Sequence, residues 1–206
     1  TGIAPDVSIM AIRQSSNKFR ADTDLAGSGY GDVATLAAAV RTAADLGATV
    51  INISSVACLP ADAALDDRAL GAALAYAVDV KNVVVVTAAG NTDGPGQCPA
   101  GNPDASSDWA DVAVVASPAW YDDYVLTVAS VGPGGLASPF TLAGPWVDVA
   151  APGEDVVSLA AVGDDTVRVS GTSYAAPTVS AVAALVRARF PQLSARQVMR
   201  RIEDTA

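Results

Sequence analysis

Histidine is missing from all 206 residues. Its absence removes the commonest general base, so no serine–histidine or cysteine–histidine couple can operate within this sequence alone. Charge is also sparse. Charged residues make up 17% against 51% hydrophobic ones, which excludes a disordered chain and fits a buried parallel sheet flanked by Ala-rich helices. The scarcer sign is positive, 12 basic residues against 22 acidic, and a net charge of −10 makes a poor surface for phosphate backbones. Nucleic acid is therefore not an expected partner. Unbroken apolar runs of membrane-spanning length are lacking too. Residues 125–147 and 169–186 carry no charge, but Gly132-Pro133-Gly134-Gly135, Pro139 and Gly144-Pro145 interrupt the first, and Gly171 and Pro177 the second. No signal peptide opens the sequence. Thr1-Gly2-Ile3-Ala4-Pro5 reads like the middle of a fold, so a mature or nicked fragment is expected, and export stays open.

Cysteine is limited to Cys58 and Cys98. Both lie in Pro/Gly/Asp-rich loops rather than apolar runs, which favours a disulfide and an oxidising compartment over two buried thiols. Closing a loop of about forty residues would contribute about 4 kcal/mol by chain entropy. No metal or cofactor is expected. Asp62, Asp66, Asp67, Asp104, Asp108, Asp111, Asp122 and Asp123 lack the spacing of a calcium loop and read as caps and solvated loops. Gly27-Ser28-Gly29-Tyr30-Gly31 lacks the lysine of a phosphate loop.

What is present is a strand–helix alternation over one α/β domain, residues 1–206. Residues 7–12 and 49–53 are β-branched runs, and between them residues 32–46 place Val33, Leu36, Ala37, Val40 and Ala44 at helical spacing. Asp32 is suited to cap that helix and Gly47 to end it. A second unit has Asp66 or Asp67 capping a helix through Leu70, Leu74 and Ala77, followed by a strand at 83–88. Residues 125–131 continue the strand series, while 146–149, 156–159 and 166–169 read as hairpin or edge pieces. Residues 172–190 are apolar almost all round and predict a buried helix, with Pro177 tolerated in its first turn. Ser194 and Gln197 form a capping box for a last helix through Met199 and Ile202. Arg187, Arg189, Arg196, Arg200 and Arg201 crowd these last segments and read as a solvated basic face.

A serine hydroxyl attacks a carbonyl usefully when a base takes its proton and fixed donors receive the charge developing on oxygen. Ser173 falls at the start of the apolar helix, where unpaired N–H groups and the positive helix end face an incoming anion. Gly171 permits close backbone approach, and Thr172 belongs to the same turn. Ala88-Ala89-Gly90-Asn91 ends the most apolar strand and sets an amide side chain at the carboxyl edge of the sheet.

Five segments carry a resemblance: Gly2-Ile3-Ala4-Pro5, Val50-Ile51-Asn52-Ile53-Ser54, Ala88-Ala89-Gly90-Asn91, Val147-Asp148-Val149-Ala150-Ala151-Pro152-Gly153 and Ser170-Gly171-Thr172-Ser173-Tyr174-Ala175-Ala176-Pro177. In this order they resemble subtilisin-like serine proteases over essentially the whole chain. The Cys58/Cys98 pair and the ending Gln197-Val198-Met199-Arg200-Arg201 are more narrowly similar to mycosins, the subtilisin-like proteases of actinobacterial type VII secretion systems. The resemblance implies a three-layer fold with a mostly parallel central sheet. It implies Ser173 as nucleophile and Asn91 as half of an oxyanion hole, Ile53, Ser54 and Ser55 pairing with an extended substrate, and Ala88, Ala89 and Gly90 walling the primary pocket. Val56 and Ala57 stand where the family commonly has glycines, which narrows the cleft. Triads of this family run Asp, His, Ser, so the resemblance puts Asp and His upstream of Thr1, on another chain or segment. It further implies a peptide or protein substrate, a cell-envelope location on the periplasmic side, and anchorage through a segment outside this chain. A role as assembly part of a secretion membrane complex is the alternative. Sedolisins, which use glutamate for histidine, resemble the Ser-Gly-Thr-Ser pattern but carry aspartate where Asn91 stands. An α/β-hydrolase needs a histidine after the serine and a glycine where Ala175 stands. A serine–lysine dyad has only Lys18 and Lys81 to draw on and ranks low.

Overall fold

The computed structural model describes residues 2–16, 31–92, 98–103, 108–160 and 162–206. Lys18, Asp104 and the segment 27–30 lie outside the described residues.

Four parallel strands, β1 (Val50–Ile53), β3 (Val84–Ala88), β5 (Leu126–Val131) and β6 (Val149–Pro152), form the central sheet in the order β1-β3-β5-β6. Every residue of β3 is buried, as a continuous Val-rich run with layers on both faces demands. Helix α3 (Thr172–Arg189) packs along all four strands, and α1 (Val33–Asp45) packs on α2 (Arg68–Ala75). Ala, Val and Leu side chains from sheet and helices make one continuous core. Asp32 caps α1 in a reciprocal box with Thr35, and Gly47 beyond its end adopts φ +87°, where a glycine is at ease. Ser194 and Gln197 cap α4 (Ala195–Glu203) in the same way, with Met199 and Ile202 buried.

Beside this core lies a smaller one around Trp146, Leu142, Val114 and Cys98. It is built on an antiparallel pair that the sequence reading omits, β2 (Ala57–Pro60) with β4 (Val114–Ser117). Asn102 ties the 98–103 loop to it, donating to the Val114 and Ala143 carbonyls and accepting from the Ala113 and Val114 amides. The hairpin of β7 (Val156–Leu159) and β8 (Thr166–Val169) is as expected.

Several expectations need correction. Residues 7–12 form no strand, and Ile9 is 88% exposed, because no described strand lies beside them to pair with. Of residues 146–149, expected as a hairpin or edge piece, Trp146 is buried in the smaller core and Val149 opens β6, an edge strand of the parallel sheet and no part of a hairpin. Asp67 holds the N-cap position of α2 but does not cap it, since its buried carboxylate accepts from Ser117 Oγ, Trp120 Nε1 and Tyr121 Oη. Burial, helped by its bond to the Asp67 carboxylate, pushes the Tyr121 phenol well above its usual range. Helix α3 is not buried all round, for Tyr174, Val182 and Leu185 line an exposed flank. Pro177 is its sixth residue, past the first turn. Nor is the basic face wholly solvated: Arg187 has a buried guanidinium nitrogen, and burial lowers its pKa, while Arg196 pairs with Asp79 at 2.8 Å.

Candidate active site

Three element ends meet at the carboxyl edge of the sheet: Ser54 directly after β1, Asn91 three residues after β3, and the start of α3. Open α/β sheets present their ligand sites at this edge.

Asn91 is held by its surroundings on several sides. Its backbone bridges Thr141, its carbonyl accepts from the Cys98 amide at 2.8 Å, and the preceding Gly90 carbonyl accepts from Leu142 N at 3.0 Å. Gly90 reaches this turn at φ +108°, and a Cβ there would stand 3.0 Å from the Cys98 sulfur. Cys98 is itself bonded to Cys58 on β2, so the expected disulfide joins the strand beyond Ser55 to the loop of Asn91. Ala88, Ala89 and Gly90 are buried behind the site, Ile53 is buried below it, and Ser55 is exposed.

The side chain of Asn91 is oriented by the turn before Ser173. Its Oδ1 accepts from Thr172 N at 2.9 Å and from Thr172 Oγ1 at 3.0 Å, while Thr172 Oγ1 accepts from Gly90 N at 3.2 Å. With Oδ1 engaged twice, Nδ2 is the end of the amide left to donate. Thr172 is fully buried, and Gly171 enters the helix at φ +147°. A Cβ on Gly171 would stand 3.3 Å from Asn91 Nδ2.

Ser173 is half-buried in the first turn of α3, where its own N–H has no helical acceptor. Its Oγ donates to the Ser54 carbonyl at 2.9 Å, and Ser54 Oγ donates back to the Ser173 carbonyl at 2.9 Å. Among the described residues no amine or carboxylate hydrogen-bonds Ser173. Two polar side chains that the sequence reading did not single out join this contact: Asn52 Nδ2 donates to Ser54 Oγ and Ser180 Oγ donates to Asn52 Oδ1, each at 2.9 Å. The alternation of β1, which sets residues 52 and 54 on one face, was the available signal.

A hydroxyl at a helix start and an oriented carboxamide thus share the carboxyl edge of a parallel sheet. The whole chain, residues 1–206, matches the subtilase family, and it belongs to that family. It is 65% identical to Mycosin-4 of Mycobacterium tuberculosis (strain ATCC 25618 / H37Rv) over all of its length and 47% of the relative's. Among solved structures it is similar to the MycP3 protease from the type VII (ESX-3) secretion system, with TM-score 0.89 and 46% identity over 100% of this chain and 61% of that one. It is also similar to a chain in the periplasmic assembly from the ESX-5 inner membrane complex, with TM-score 0.89 and 42% identity over 100% and 56% of the two chains. The chain thus spans about half the length of the curated relatives it matches.

Proposed function

We propose that the chain is the larger, C-terminal part of a subtilisin-like endopeptidase domain whose catalytic Asp and His come from a segment upstream of Thr1 or from another chain. The observation that carries the reading is the pair of hydrogen bonds that Thr172 donates to Asn91 Oδ1, which leaves Nδ2 to donate at the start of the helix that bears Ser173. In the reaction the base takes the Ser173 Oγ proton and Oγ bonds to the scissile carbonyl carbon. Asn91 Nδ2 and the Ser173 N–H receive the oxyanion. The C–N bond then breaks, the amine leaves with the proton, and water hydrolyses the acyl-enzyme. Ile53, Ser54 and Ser55 line the extended substrate, with Ala88, Ala89 and Gly90 behind the primary pocket, and Val56 narrows the cleft. In the full-length protein a fluorophosphonate should label Ser173, and Ser173→Ala should abolish labelling. Labelling that survives the substitution sinks the assignment.

Similarity to mycosins supports a place in type VII secretion, on proteins exported to the periplasmic side of the envelope. None of the described helices is long and apolar enough to cross a membrane, and the same reading places anchorage in a segment outside this chain. A second reading, an assembly part of the membrane complex with dispensable proteolysis, draws on the similarity to a chain of the ESX-5 periplasmic assembly. Secretion that persists with Ser173→Ala but fails on gene deletion favours assembly. Loss in both favours proteolysis.

A further inference from the structure

We propose that Asn52 is a positioning residue for the nucleophile, the middle of a hydrogen-bonded relay that supplies the helix bond Pro177 cannot make. The inference rests on reading Ser173 as the nucleophile. Proline has no N–H, so at position 177 it leaves the carbonyl four residues earlier without its helical donor. That carbonyl belongs to Ser173. Ser54 Oγ fills the vacancy at 2.9 Å. A hydroxyl has one proton, and a carbonyl can only accept, so the direction of this bond is fixed and Ser54 Oγ must accept from any further partner. Asn52 Nδ2 is that partner at 2.9 Å, which turns Asn52 Oδ1 toward Ser180 Oγ, itself donating at 2.9 Å.

The relay therefore runs one way, from Ser180 through Asn52 and Ser54 to the Ser173 carbonyl. Residues 52 and 54 share a face because strand side chains alternate, and 173 and 180 share a helix face because they lie about two turns apart. Helix α3 is thus braced to the end of β1 at both points. Ser173 Oγ returns a bond to the Ser54 carbonyl, and that bond must break when a base takes its proton. Among the described residues, the Ser54 hydroxyl is then the remaining side-chain hydrogen bond from the end of β1 to the Ser173 backbone, and Asn52 keeps that hydroxyl aimed. Loss of Asn52 should accordingly disturb the geometry of attack and leave ligand affinity alone.

The test measures fluorophosphonate labelling of Ser173 in the full-length protein across probe concentrations, separating the maximal labelling rate from the half-saturating concentration. Asn52→Asp keeps size but offers only acceptors, so Ser54 turns its proton away from Ser173. The maximal rate should fall about tenfold, with half-saturation changed by less than about twofold. Ser180→Ala should lower the rate less, Ser180→Thr should restore it, and Asn52→Asp with Ser180→Ala should be no worse than Asn52→Asp alone. Should Asn52→Asp unfold the protein, the Ser180→Ala and Ser180→Thr pair decides. A parent-like rate in Asn52→Asp, a change confined to half-saturation, or additive losses overturn the relay and leave the nucleophile standing. A parent protein that does not label overturns both.

Discussion

At Asn91 the orientation of one amide decides whether the candidate site offers an anion a donor or an acceptor. Thr172 makes that choice twice, through its N–H and its hydroxyl, and the hydroxyl is itself fixed because Gly90 N donates to it. Removing the hydroxyl leaves one bond to Oδ1 and an unpaired buried Gly90 N–H, so the amide should lose orientation rather than vanish. Full-length Asn91→Leu should lower the catalytic rate by about a hundredfold or more, as loss of an oxyanion donor does. Thr172→Val should cost less, about tenfold, and Thr172→Ser should cost little. Rates of peptide hydrolysis for the three variants check this order. A Thr172→Val protein as slow as Asn91→Leu would mean that Thr172 contacts the anion directly. Gly171 belongs to the same argument, because a Cβ there faces strain at φ +147° and crowds Asn91 Nδ2.

Between elements, the half-buried acid Asp148 stands just before β6 and reaches β5. Its carboxylate accepts from Thr127 N at 2.6 Å, yet burial pushes its pKa up to about 7, helped by the charges of Asp122 and Glu203. Asp122 and Glu203 are raised by burial as well, Asp122 with help from the charge of Asp123 and Glu203 with help from those of Asp122 and Asp204. A carboxyl whose pKa is raised in the folded state binds its proton more tightly there than in the unfolded chain. Its contribution is therefore fully present below the unfolded value near 4 and is lost as pH rises through about 7. Asp148→Asn should remove most of that slope and be the more stable protein above pH 7, read from urea midpoints between about pH 4 and 8. Parallel curves for the two proteins would refute the linkage.

The same scale explains what could be read from the sequence. The caps of α1 and α4 are written in four adjacent residues each, Asp32 to Thr35 and Ser194 to Gln197, and both were legible. The pair β2–β4 was not, because each strand has four residues and the match lies in a partner far along the chain. Asp67 misled for a similar reason: its local position is a cap, but its bonds go to residues some fifty positions on. Ser173 and Asn91 were legible as motifs at element ends. The relay behind Ser173 was not, since Asn52 and Ser180 are 128 residues apart.

For the molecule as a whole, three features stand open among the described residues. Strand β1 pairs only with β3 among the described residues, so one edge of the parallel sheet is bare. Residues 7–12 are mostly apolar and form no strand, with Val7, Ile9, Met10 and Ile12 exposed. The flank of α3 that begins beside Ser173 exposes Tyr174, Val182 and Leu185. A bare edge and exposed apolar side chains are unfavourable to leave in water, and a segment that pairs with the sheet and packs on α3 would cover them. In the proposed function that segment carries the base for Ser173, whose proton otherwise rests on the Ser54 carbonyl. The isolated 206-residue chain should therefore label with fluorophosphonate at least about a thousandfold more slowly than the full-length protein, since a serine without its base keeps only a small part of triad catalysis. Adding the separately produced upstream segment should restore labelling and, in the same titration, reduce binding of an apolar dye to the chain. Peptide hydrolysis by the isolated chain at the full-length rate would show instead that the base is already within these residues.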